Sequence, residues 1–199
     1  EGVYIMKVSI VGITGYSGFE LVKILNNHKK VTIASIHATK DISRRLSDIY
    51  PYLSGICDLV IEAFDAKAIM AVSDLVFFAT PSGIASQLAA PFVAADFPVI
   101  DLSGDHRLPA DVYEKWYHKT PVSDAVLSQF TYALTEWTDL KGKRFVSNPG
   151  CYATATELAL LPLLKADVIE EDAIIVDAKS GLTGAGKALS EASHFVNVH

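Results

Sequence analysis

Short apolar runs alternate with helical spacing along most of this sequence, and that alternation leaves few folds open. Met6–Gly12, Val31–Ile36, Leu59–Ala63, Asp74–Ala79, Pro98–Leu102 and Phe145–Ser147 have the length and composition of strands. Between them, Ser17–Asn27, Ala66–Ala71 and Ile84–Ala90 have helical character, the last with scope to resume after Pro91. In the first of these helices Leu21, Ile24 and Leu25 are expected to face inward, joined by Phe19 or Val22. Strands that are apolar throughout are covered on both faces, which is the situation in a parallel sheet wrapped by helices. The expectation is an α/β, doubly wound, mostly parallel sheet.

Composition narrows the function. The 199 residues are half apolar and carry a net charge of −6 with no basic stripe, so nucleic acid is not expected as a partner. No apolar run reaches membrane-spanning length, so no membrane is expected either. Cys57 and Cys151 have neither a disulfide framework nor metal-ligand spacing. A reducing cytoplasm and no metal are expected, with Cys57 as inert core. Glu1–Ile5 reads as a short leader or a cloning remnant before the first strand, not as a signal peptide.

The first strand ends in Gly12-Ile13-Thr14-Gly15-Tyr16-Ser17-Gly18, and a helix follows. Glycines there let the backbone turn tightly and approach a pyrophosphate resting on the helix N-terminus. The spacing is GxxGxxG, and its position between the first strand and first helix is that of a Rossmann-like dinucleotide site. Gly12, Thr14, Gly15, Tyr16, Ser17 and Gly18 are therefore cofactor candidates. The end of the second strand chooses between cofactors. An NAD site places a carboxylate there for the ribose 2′-OH. This chain has His37, Thr39 and Lys40, and no acid before Asp41. Such donors suit a 2′-phosphate, so NADP(H) is expected over NAD. Thr80, Pro81 and Ser82, at the end of the fourth run, complete the expected lining. Asp101–Arg107 follows the fifth. Its Arg107 is read either as a bidentate oxyanion ligand or as half of an internal Asp–Arg pair.

The stretch Ser147-Asn148-Pro149-Gly150-Cys151 carries the chemistry. Asn148 suits an N-cap and Pro149 a first helical position. Cys151 then lies on the first turn of an apolar helix, Tyr152–Leu164, which Pro162 bends or ends. Unpaired N–H groups at a helix start favour the thiolate, the reactive form of a cysteine. The other reading is a small buried hydrophobe. Beyond it, Ala173–Asp177 is expected as a strand. Gly181–Ala188 approaches a nucleotide P-loop pattern but lacks the hydroxyl after Lys187 that would hold magnesium. It reads instead as a glycine turn near cofactor or substrate, with Gly184 lining it. Residues 1–148 are taken as the dinucleotide domain and 149–199 as the beginning of a second domain.

Taken together, GITGYSGFEL at 12–21, FFATPSG at 77–83, DLSGDHRL at 101–108, SNPGCYATA at 147–155 and DAKSGLTGAGK at 177–187 resemble the N-acetyl-γ-glutamyl-phosphate reductases. These belong to the wider aspartate-semialdehyde dehydrogenase group. The resemblance implies NADPH-dependent reduction of a small acyl phosphate to a semialdehyde, in arginine biosynthesis. It implies Cys151 as nucleophile, an α+β catalytic and dimerisation domain after residue 149, and a homo-oligomer in the full-length protein. Arg107, Asn148 and Lys179 become substrate candidates. Tyr132–Glu136 departs from the family's YGLPE and is assigned no role. The family's catalytic histidine is expected beyond this sequence, since His194 and His199 do not match its motif, so the chain alone is expected to bind NADP weakly or incompletely and to turn over poorly or not at all. The competing readings are a reductase of carrier-bound aminoadipyl phosphate in lysine biosynthesis and a non-catalytic NADP-binding module.

Overall fold

The computed structural model describes residues 4–188, and the chain divides after Asn148 into two compact units. Residues 1–3, and His194 and His199, lie outside the described residues.

The first unit opens with β1 (Met6–Val11), α1 (Tyr16–Asn26), β2 (Val31–His37), α2 (Leu46–Ile49), β3 (Ile61–Glu62), α3 (Ala66–Val72) and β4 (Leu75–Phe78). It continues through α4 (Ala85–Leu88), α5 (Ala90–Ala94), β5 (Val99–Asp101), α6 (Ala110–Tyr117), α7 (Asp124–Leu127), β6 (Thr131–Tyr132) and β7 (Phe145–Ser147). The strands form one sheet in the order β3-β2-β1-β4-β5-β7-β6, and every pairing is parallel. The chain works outward from β1 to β3, then returns to the other side of β1 as β4. That reversal is the topological switch point, and ligands of such sheets bind in the crevice it opens at the carboxyl ends of the strands.

Alternation along the strands sends side chains into two cores. Val8, Ile10 and Ile36 pack with Phe19, Val22 and Leu25 of α1. Val11, Val76 and Phe78 pack with Ile69 of α3 and Phe92 of α5. Fully burying one such side chain contributes about 1.5–3 kcal/mol. The inward face of α1 is Gly18, Phe19, Val22 and Leu25. Ile24, expected inside, is exposed, because the observed face steps by three residues from Phe19 and carries Ile24 round to solvent. Helical structure breaks at Ala89, and Pro91 falls in the first turn of α5, where its missing N–H costs nothing.

The second unit begins with α8 (Cys151–Lys165). Pro162 does not end the helix. It sits in the last turn, and its carbonyl accepts the Ala166 N–H at 3.2 Å. The strand expected at Ala173–Asp177 is not formed. Glu171–Ala173 is a 3₁₀ turn and the following residues are irregular, with Ile175 94% exposed. A strand is held by its ladder, and no other strand occurs among the described residues of this unit. For the same lack of a covering layer, no residue of α8 is buried.

Candidate functional site

The crevice at the switch point is walled by two turns, one after β1 and one after β4. Gly12 adopts φ +95°, a region L side chains avoid. Its N–H and that of Ile13 both donate to the His37 carbonyl, at 2.8 and 3.2 Å. A Cβ on Gly12 would overlap the Ala79 carbonyl oxygen and lie 3.0 Å from Thr80 Cγ2. The two walls are thus in backbone contact at Gly12. Gly15 is the N-cap of α1 and offers no side chain to the helix, so the N–H groups of its first turn are left for a ligand. Gly18 is buried against the Gly12 carbonyl, while Tyr16 and Ser17 face solvent. Tyr50 Oη donates to the Thr14 carbonyl at 3.0 Å and steadies the loop from outside.

A dinucleotide fits this crevice on two observations. Helix α1 has no side-chain cap where a pyrophosphate would rest. On the β4 wall, Thr80 Oγ1 is shut off from solvent and has no hydrogen-bond partner among the described residues. Buried polar atoms are normally paired, so an orphan hydroxyl in a crevice suits a ligand.

At the end of β2 the structure corrects the sequence reading. His37 is 1% exposed and cannot reach a 2′-phosphate. Its Nδ1 faces the Ala63 carbonyl at 3.0 Å, its Nε2 faces Ser35 Oγ at 2.8 Å, and Ser35 Oγ in turn meets Ser9 Oγ at 2.7 Å. The imidazole is a core bridge across three strands, because the last residue of β2 points into the sheet layer. Thr39 and Lys40, just beyond, are exposed. Asp41, the first acid, is paired with Arg44 at 2.7 Å.

The loop after β5 is a polar hub. Asp101 is fully buried and accepts from Ser103 N–H at 2.8 Å, Ser103 Oγ at 3.0 Å and His106 Nδ1 at 2.6 Å. His106 stacks on Phe130 with ring centroids 3.9 Å apart, and its buried Nε2 has no partner among the described residues. Asp105 is also buried and holds Gly83 and Ser86 through their N–H groups. The internal Asp–Arg pair is not what forms. Asp101 takes His106, while Arg107 donates from Nε to the Asn148 carbonyl at 2.8 Å and from Nη2 to the Leu102 carbonyl at 2.7 Å. Nη1 meets Tyr117 Oη at 3.4 Å. The Nε–Nη2 edge of the guanidinium is thus committed to two backbone carbonyls. Asn148 has both backbone groups engaged, since its N–H donates to the Asp101 carbonyl at 2.8 Å.

In the second unit, the N-cap of α8 is Gly150, not Asn148, and Pro149 precedes the helix. Both assignments shift because Gly150 keeps extended angles, φ −71° and ψ 161°, before the first helical residue. Cys151 is that first residue and is exposed. The Thr154 N–H bonds the Gly150 carbonyl at 2.9 Å, and no side chain caps the turn before it. Cys151 edges a cavity of about 660 Å³, lined also by Tyr152, Ala155, Ala159, Lys179 and Gly184. Lys179 is exposed and ion-paired with Asp177. Gly184 thus lines the same cavity as Cys151. Cys57 is buried, and burial pushes its thiol pKa up. The sequence reading missed the tie of Asp105 to the β4 turn, whose only sequence signal was the charge crowded into Asp101–Arg107.

Residues 7–143 match the family described as semialdehyde dehydrogenase, NAD binding domain. The chain belongs to the semialdehyde dehydrogenase family. Residues 151–199 match the dimerisation domain of the same family. An N-acetyl-gamma-glutamyl-phosphate reductase of Streptococcus thermophilus (strain CNRZ 1066) is 75% identical over 98% of this chain. The reductase of the same name from Streptococcus mutans is 71% identical over 98%, and that of Lactococcus lactis 51% identical over 96%. The chain spans 57% of the first two relatives' length and 56% of the third's. Among solved structures, aspartate semialdehyde dehydrogenase with NADP from Candida albicans superposes with TM-score 0.58 at 15% identity. That match covers 83% of this chain and 48% of the other. A probable aspartate-semialdehyde dehydrogenase from Pseudomonas aeruginosa gives 0.56 at 21%, covering 81% and 42%. These likenesses establish the shared fold. Among the described residues no helix is long and apolar enough to cross a membrane.

Proposed function

We propose that the protein of which this chain forms part reduces N-acetyl-γ-glutamyl phosphate to N-acetylglutamate semialdehyde and phosphate, in arginine biosynthesis. On this reading residues 1–148 bind NADPH and 149–199 begin the catalytic and substrate domain. The observation that carries it is an exposed Cys151 at the uncapped start of α8, on the edge of a cavity that also holds a lysine. The names of the close relatives and their identity to this chain support the substrate.

Sγ of Cys151 attacks the acyl carbon, and phosphate leaves with the electron pair of the broken C–O bond. Cys151 then holds the acyl group as a thioester, dividing one hard step into two. When bound, the reduced nicotinamide supplies a hydride to the acyl carbon. The Cys151 thiolate departs as the aldehyde forms, returning to its starting state. N–H groups of the first turn of α8 stabilise the oxyanion of each tetrahedral species. Lys179 is the cation proposed for the phosphate or carboxylate of the substrate. In the first unit, the loop from Gly12 to Gly18 and Thr80 to Ser82 hold the dinucleotide, and Thr39 and Lys40 take the 2′-phosphate. Pairing of Asp41 with Arg44 favours NADPH over NADH, because the first acid after β2 is already neutralised. The match to a dimerisation domain supports a homo-oligomer. Two free cysteines suit a cytoplasmic enzyme.

The test is mass spectrometry of the protein mixed with acyl phosphate in the absence of cofactor. One acyl adduct on Cys151, discharged on adding NADPH, is expected. An adduct elsewhere, or one that persists in Cys151→Ala, overturns the reading.

A further inference from the structure

We propose that Asp105 is a positioning residue for the dinucleotide, acting through the turn after β4 without touching the cofactor. The inference rests on the reading that the first unit holds NADPH. Asp105 is 1% exposed, and among the described residues no ion pair is made to it. Its carboxylate is met instead by three donors: Gly83 N–H at 2.7 Å, Ser86 N–H at 2.8 Å and Tyr113 Oη at 2.6 Å. A carboxylate is expensive to bury, and a loop needing only packing would use an apolar residue. What the charge achieves is specific to the turn it holds.

Helix α4 begins at Ala85 after Ile84, which has no side-chain atom able to cap it. Ser86 is its second residue, so Asp105 supplies from the β5 loop the acceptor that the local sequence lacks. Gly83 adopts φ +91°, a conformation most residues avoid, and its N–H is bound to the same carboxylate. The turn Thr80–Gly83 is therefore fixed at one end by β4 and at the other by Asp105. Gly12 rests where this turn begins, its absent Cβ overlapping the Ala79 carbonyl and lying 3.0 Å from Thr80 Cγ2. The β1 wall is tied separately, through the His37 carbonyl. Each side of the crevice has its own anchor, and Asp105 is the anchor of the β4 side alone. Loosening it should be felt by a ligand that spans both walls. It should not be felt by one held only beside β1 and β2.

Asp105→Asn keeps the size but turns one acceptor into a donor facing another donor. Tyr113→Phe removes a single bond and leaves both backbone contacts. Affinity for NADPH and for adenosine 2′,5′-bisphosphate, a probe of the adenosine half, would be measured by calorimetry alongside Tm. Asp105→Asn should weaken NADPH by roughly 10-fold or more and the bisphosphate by less than about twofold. Tyr113→Phe should weaken NADPH by about two- to threefold, with the same selectivity, and it decides the matter if Asp105→Asn fails to fold. Unchanged NADPH affinity, or equal loss for both probes in step with Tm, overturns the inference. A wild-type chain that binds neither probe refutes the cofactor reading and this inference with it. A wild type that binds both, with variants indistinguishable from it, refutes this inference alone.

Discussion

Placing a methyl group on each glycine of the first turn in succession separates what the fold needs from what the ligand needs. At Gly12 the methyl meets a backbone conformation of φ +95° and overlaps the Ala79 carbonyl oxygen. The conformational part is about 1–2 kcal/mol and the overpacking about 1–3, giving roughly 2–5 kcal/mol lost. At Gly18 the backbone is helical, so alanine gains about 1 kcal/mol of propensity. The methyl would, however, lie 2.5 Å from the Gly12 carbonyl oxygen and 2.9 Å from Ile13 Cα. Backbone cannot swing aside as a side chain can, so a net loss of about 1–2 kcal/mol remains. At Gly15 the nearest atoms are 3.6 and 3.8 Å away and φ is −81°. Only the cap preference is lost, under about 1 kcal/mol. Urea denaturation followed by fluorescence should rank the losses 12, 18, 15. Gly12→Ala should lower Tm by roughly 5–20 °C. NADPH titration should break that order, because the middle glycine is where the pyrophosphate approaches. Gly15→Ala should lose roughly 10-fold or more in affinity while staying folded. A Gly18→Ala variant as stable as wild type would refute the steric argument. A Gly15→Ala variant with full NADPH affinity would refute the ligand argument.

Lys40→Ala should weaken NADPH by roughly 10-fold and leave NADH within about twofold, since only the former has a 2′-phosphate to lose; equal losses would remove Lys40 from that role. Iodoacetamide at neutral pH should label Cys151 at least about ten times faster than the buried Cys57, read by peptide mass spectrometry, and comparable labelling would mean that Cys57 is not held inside. Tyr113 has its pKa raised, first by burial and then by its bond to Asp105. Its contribution to stability is therefore complete below the unfolded tyrosine value of about 10 and is lost as pH rises through the higher folded value. Urea midpoints between about pH 9 and 11.5 should fall less steeply in Tyr113→Phe than in wild type, and parallel slopes would count against that linkage.

Features written in local pattern were legible before any coordinates. The run of apolar strands foretold the parallel sheet, because a strand buried on both faces cannot hide its composition. No helix or strand was assigned between residues 109 and 144. Helix α6 has only eight residues and exposes Trp116, and β6 has two, so neither builds a period long enough to notice. His37 misled because a polar residue at a strand end reads the same whether it points to solvent or into a bridge of serines. Asn148 misled for a related reason. Its propensity to cap a helix was outweighed by contacts to Asp101 and Arg107, residues more than 40 positions away. Tertiary partners of that kind leave no mark in a local window. The strand expected near Ile175 had the right composition and no neighbour to pair with.

Junctions between compact units are usually slack, and proteases find them first. Here the last residue before the junction has its amide and its carbonyl both committed, and a proline with restricted torsion comes next. Limited digestion should therefore spare the peptide at Asn148, and the two halves should be hard to part cleanly with an enzyme.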